Sequence, residues 1–166
     1  MNQNRFFELI DQARDGRSPQ DPSADAGALG GVLEDLSDDE LISFRAEYRR
    51  QLVRLGTWDV WAAGFVAQGG MGDDSFHYFR SWLIGKGADA VEQAARDPHG
   101  LVAYFDTTEL ENEELEYVVL DLLEERELEF SDDGPDPDAE PEGQPFEEDE
   151  AYSRYPAIAA WAEMNL

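Results

Sequence analysis

Ser37 and Glu40, followed by Leu41, Phe44, Tyr48, Leu52 and Leu55, form the pattern that most constrains this chain. The Ser37 hydroxyl can accept from the Glu40 amide while the Glu40 carboxylate reaches back, a capping box that marks a helix start. The apolar residues behind it recur at helical spacing, so one face of a long helix must be buried, with Arg45, Arg49, Arg50 and Arg54 expected outward. Gly56 stops this helix, and Thr57 caps a second that carries Trp58, Val60, Trp61, Phe65 and Val66 and ends at Gly69-Gly70.

The same period runs through most of the sequence. Phe6, Phe7, Leu9, Ile10 and Ala13 make a stripe behind Asn2 or Asn4, closed by Gly16, and the two prolines within Arg17 to Ala24 mark a loop. A helix is expected from about Asp25 to Leu36 despite its three glycines. Asp73 or Asp74 starts another, whose Phe76, Tyr78, Phe79, Trp82, Leu83 and Ile84 surround the axis and place it at the centre. Ala88 to Arg96 forms a short helix halted by Asp97-Pro98, and Asn112 caps one bearing Leu115, Val118, Val119, Leu122 and Leu123. Tyr155-Pro156 opens a last helix that Ile158, Trp161 and Met164 would dock on the body.

The expected fold class is therefore all-α, a single compact multi-helix domain of about seven helices. Its centre is a hairpin of the tryptophan helix and the Tyr78–Ile84 helix. Residues 1–130 form the helical domain, 131–150 an acidic, proline-rich and flexible linker, and 151–166 a C-terminal helix that packs back.

Charge narrows the function classes. The chain of 166 residues has a formal charge of −27, and it is unevenly spread. Residues 1–106 hold 10 bases against 18 acids, whereas 107–166 hold 2 against 21. Such a field repels nucleic acid and anionic membranes, and it favours a basic protein partner. With no cysteine, thiolate metal sites, disulfides and cysteine nucleophiles are excluded. The longest uncharged apolar run, Val60 to Gln68, is too short to span a bilayer, and no signal peptide opens the chain, so the cytoplasm is expected. Eleven of the twelve bases are arginine, with Lys86 the sole lysine, a composition in keeping with a bacterial source.

Leu55-Gly56-Thr57-Trp58-Asp59-Val60-Trp61-Ala62-Ala63, then Gly69-Gly70-Met71-Gly72-Asp73-Asp74-Ser75-Phe76-His77-Tyr78-Phe79-Arg80-Ser81-Trp82-Leu83-Ile84, is similar to a bacterial family, domain of unknown function 4240. The opening Phe6-Phe7-Glu8-Leu9-Ile10-Asp11 and the Asp97-Pro98 pair also resemble it. The resemblance implies one compact domain and no particular reaction. Relatives commonly carry Cys-Ser where this chain has Met71-Gly72, so it implies no thiol chemistry here.

Asp73, Asp74, His77 and Arg80 are the candidate chemical constellation. On a helix, Asp73 and Asp74 both face His77, and His77 faces Arg80. Two carboxylates and an imidazole could ligate a divalent metal, with a further ligand such as His99 or Glu113, or could transfer a proton. The structural alternative makes one aspartate the N-cap, sets the other on the helix dipole, and pairs Arg80 with a carboxylate on a neighbouring helix. Trp58, Trp61 and Trp82 are expected in the core rather than around a pocket. Glu147, Glu148 and Asp149 flank Phe146, a pattern suited to a basic groove. The leading expectation is a non-enzymatic interaction module that uses an acidic surface to bind a basic partner, with no cofactor. The alternative is a small metal-dependent enzyme built on Asp73, Asp74 and His77.

Overall fold

A computed structural model describes residues 1–15 and 23–166. Their secondary structure is helical: α1 (Gln3–Arg14), α2 (Ala26–Glu34), α3 (Asp38–Arg54), α4 (Trp58–Gln68), α5 (Asp73–Gly85), α6 (Ala88–Arg96), a 3-10 helix (Pro98–Tyr104), α7 (Glu114–Glu125), α8 (Glu148–Arg154) and α9 (Pro156–Asn165). Among the described residues there is no strand, and one isolated parallel bridge joins Thr57 to Glu142. The expected stop at Gly16 and most of the Arg17–Ala24 loop lie outside the described residues.

About seven helices were expected, and ten are present among the described residues. Asp97-Pro98 both ends α6 and begins the 3-10 helix: proline needs no N–H at a first turn, and the Asp97 carboxylate accepts from the His99 amide. The other unforeseen helix is α8, which starts inside the acidic stretch. Glu148, Asp149 and Glu150 in its first turn complement the helix dipole, and Ala151 is buried.

The starts that the sequence specifies by side chain are in place. Asn2 accepts from the Arg5 amide at 2.9 Å and Asp25 from the Ala28 amide at 2.7 Å. Both halves of the Ser37–Glu40 box are formed, and Thr57 accepts from the Val60 amide. Asn112, two residues before α7 begins at Glu114, accepts from the Leu115 amide.

Phe6, Phe44 and Tyr48 join α1 to α3, with the Phe6 and Phe44 rings 4.7 Å apart. α5 touches α1, α3, α4, α6 and α7, as a helix apolar on all sides must. α4 approaches α5 so closely at Gly64 that a Cβ there would lie 2.8 Å from the Phe79 ring. Besides α5, α4 packs on α8, α9 and the 3-10 helix. A buried hydrogen bond of 2.8 Å from Tyr48 Oη to Ser81 Oγ ties α3 to α5, and burial pushes the Tyr48 phenol far above its ordinary value. At the C-terminus, Tyr155 and Ile158 are buried, and Trp161 lies half-buried against Phe105. Met164 is 78% exposed and does not dock.

The acidic segment lies along the body. Phe130 lies under the Arg45 guanidinium at 4.1 Å, and Asp132 pairs with Arg45 at 2.5 Å. Arg45 is thus buried, against the expectation that it faces outward, because the segment covers it. Farther on, the Trp58 amide donates to the Glu142 carbonyl and the Glu142 amide to the Gly56 carbonyl, both at 2.9 Å. Phe146 sets its ring against Trp58 and Phe65.

Candidate functional site

The helix start at Asp73 orients everything in the site. Gly72 occupies the N-cap position and offers no side chain, so neither aspartate is the cap. Asp73 and Asp74 stand in the first turn, where their charge suits the dipole, and both are exposed. One turn later His77 points into a cleft of about 730 Å³ between α5, α7, Trp58, Trp61 and residues 137–141 of the acidic segment.

His77 is clamped between two carboxylates. Its Nε2 lies 2.6 Å from Glu116 on α7, and its Nδ1 lies 2.8 Å from Asp138 on the acidic segment. With both carboxylates ionised each ring nitrogen must donate, which makes His77 an imidazolium. The hydrogen bond to Glu116 raises the His77 pKa most; burial opposes it, and Asp138 adds to the rise. Since the folded value lies above the unfolded one, this stabilisation is complete below about pH 6.5 and is lost as pH rises through the folded value. Denaturant melts from about pH 6 upward should therefore show stability falling across that window, and His77→Gln should remove the fall. A wild-type profile that matches the variant's would contradict the clamp.

Arg80, 2% exposed, is a structural hub. Its Nη1 donates to the carbonyls of Leu52 at 3.1 Å and Pro137 at 2.7 Å, and its Nη2 lies 3.5 Å from Asp138 Oδ1. The Leu52 carbonyl belongs to the last turn of α3, where the Gly56 amide has turned to Val53, so Arg80 caps that helix end. Its guanidinium also lies 4.4 Å from the Phe76 ring centre, and Phe76, Trp61 and Trp58 continue as a stack with 4.6 and 5.2 Å between rings. Burial works against the Arg80 charge and Asp138 and Glu116 offset that; a guanidinium stays protonated throughout. The expected carboxylate partner on a neighbouring helix is thus replaced by Asp138, from the acidic segment.

The sequence pairing of Asp73, Asp74 and His77 is not a bonded cluster. Both His77 nitrogens face other carboxylates, and no group of three or more His, Asp or Glu among the described residues is arranged to hold a metal. Glu113, considered as a distant ligand, instead accepts from the hydroxyls of Tyr78 and Tyr117 at 3.0 and 3.2 Å, and the residue one turn beyond it meets His77. His99 is held by Asp97 and the Arg154 carbonyl, away from the cleft. Trp82 is in the core as expected, whereas Trp58 and Trp61 line the cleft. Phe146 is used inside the molecule, while Glu147 precedes α8 and Glu148 and Asp149 lie exposed in its first turn. Glu116 and Asp138 had no signal of their own in sequence: Glu116 is one of several glutamates on α7, and Asp138 one of many acids in its segment.

The cleft wall is acidic. Asp73, Asp74, Glu116, Asp138 and Glu140 line it together with Trp58, Trp61, Tyr78 and Tyr117, and its two cations are already engaged by the protein. No helix among the described residues is long and apolar enough to cross a membrane. A family model described as protein of unknown function (DUF4240) matches residues 1–125. No curated protein and no solved structure matches the chain.

Proposed function

This chain belongs to the DUF4240 family, whose function is not established, and we propose that it is a non-enzymatic interaction module that receives a cationic side chain of a basic protein partner. The observation that carries this reading is the cleft itself, with aromatic walls, five carboxylates and no unengaged cation among its lining residues. A guanidinium or ammonium group entering there meets complementary charge, and the rings of Trp58, Tyr78 and Tyr117 offer cation–π contact. The uneven charge of the chain supports the same polarity and disfavours nucleic acid as the partner. A cytoplasmic setting in a bacterium is part of this reading.

Calorimetric titration with a short arginine-rich peptide tests it. Binding is expected in low salt and should weaken steeply in high salt. Changing Asp73→Asn, Asp74→Asn and Glu140→Gln together should weaken it about tenfold or more, since these exposed groups make no ion pair among the described residues. Affinity indifferent to both salt and the triple change would end this proposal.

A further inference from the structure

Three cations on the body find their ion partners in the acidic segment alone. Among the described residues, Arg45 and Arg49 pair with Asp132, at 2.5 and 3.6 Å, and Arg80 meets Asp138 at 3.5 Å. His77 adds a fourth contact to Asp138. Yet the segment lies beyond residues 1–125, which the family model matches. It also adds little to the core: between residues 131 and 145 only Pro137 is buried. Among the described residues, the helices of this acidic body leave Arg45 and Arg49 on α3 and Arg80 on α5 without an ion pair, whereas His77 has Glu116.

We propose that the groove between α3 and α5 is a recognition site for an extended, acidic, proline-containing peptide, and that residues 129–143 are its resident ligand. The site reads two carboxylates six residues apart, Asp132 on Arg45 and Arg49, and Asp138 on Arg80 and His77. It also reads backbone: Arg80 takes the Pro137 carbonyl, and Glu142 pairs through both its amide and its carbonyl with Gly56 and Trp58, in the manner of strand addition. Pro135, Pro137 and Pro141 favour the extended form before binding and so reduce the entropy lost on docking. Charged and backbone contacts with little apolar burial are the composition of a reversible interface rather than of a core. This site shares His77, Arg80 and Asp138 with the cleft, but it takes the opposite charge on the inner side of the segment and does not rest on the cation-binding reading.

The test uses the full-length chain with residues 129–143 replaced one for one by glycine and serine, α8 and α9 retained, and a labelled peptide of the natural 129–143 sequence. Circular dichroism checks the fold. The exposed double change Asp132→Asn with Asp138→Asn serves as a second vacated form. Both forms should bind the peptide in low salt. The unaltered chain should bind it at least about tenfold more weakly, because its own segment competes at an effective concentration of the order of millimolar. A peptide with asparagine at both aspartate positions should not bind. Folded vacated forms that ignore the natural peptide, or take the asparagine peptide equally well, would overturn the proposal.

Discussion

Replacing Arg80 with leucine is expected to lower the free energy of unfolding by about 2–4 kcal/mol, the cost of leaving two carbonyl acceptors without their donor. The apolar replacement fits the surroundings of Phe76 but donates nothing. It leaves the Leu52 carbonyl at the end of α3 and the Pro137 carbonyl of the acidic segment without the donor they share, both near a side chain only 2% exposed. Lysine should rescue little, because a single ammonium cannot cap α3, meet Pro137 and Asp138, and stack on Phe76 together. Guanidinium-induced unfolding measures this directly. A loss below about 1 kcal/mol would mean that the guanidinium is dispensable.

The next largest effect is expected at Lys86, the sole lysine. Its Nζ lies 2.6 Å from each oxygen of Asp106 and 5.2 Å from the Trp82 ring centre, and the residue is 5% exposed. Asp106→Ala would leave a buried ammonium with the ring as its remaining partner among the described residues. The Asp106 side chain is itself 31% exposed, so water can enter the gap, and the expected loss is about 2–3 kcal/mol, the low end for a broken buried pair. Removing both charges, with Lys86→Met and Asp106→Leu, should recover most of that loss, since neither charge is then stranded. Equal destabilisation by the single and double changes would show that packing around Trp82, and not the ion pair, sets the cost.

The helices were legible where a local rule fixes them. The Ser37–Glu40 box, the Thr57 cap and the all-round apolar pattern of α5 depend only on residues within a turn or two of one another. Asp97-Pro98 was legible only as a stop, because the same proline that halts α6 is suited to begin the 3-10 helix. α8 was hidden in a run of acids whose composition resembles a solvated linker; Ala151, Tyr155 and Phe146 hold it through contacts with other parts of the chain.

The constellation at α5 divides along the same line. The sequence by itself determined that His77 and Arg80 share a helix face and that Asp73 and Asp74 stand at its start, because helical period is a local property. Only the tertiary structure decided which acids meet them. Glu116 and Asp138 lie 39 and 61 residues from His77, and each is one carboxylate among many that no local rule distinguishes. What selects them is the packing of α7 against α5 and the path of the acidic segment, which follows the row of Arg45, Arg49 and Arg80 and closes the cleft. Apolar period can be read along the chain, but the pairing of charges is settled only where folding brings distant residues within a few ångströms.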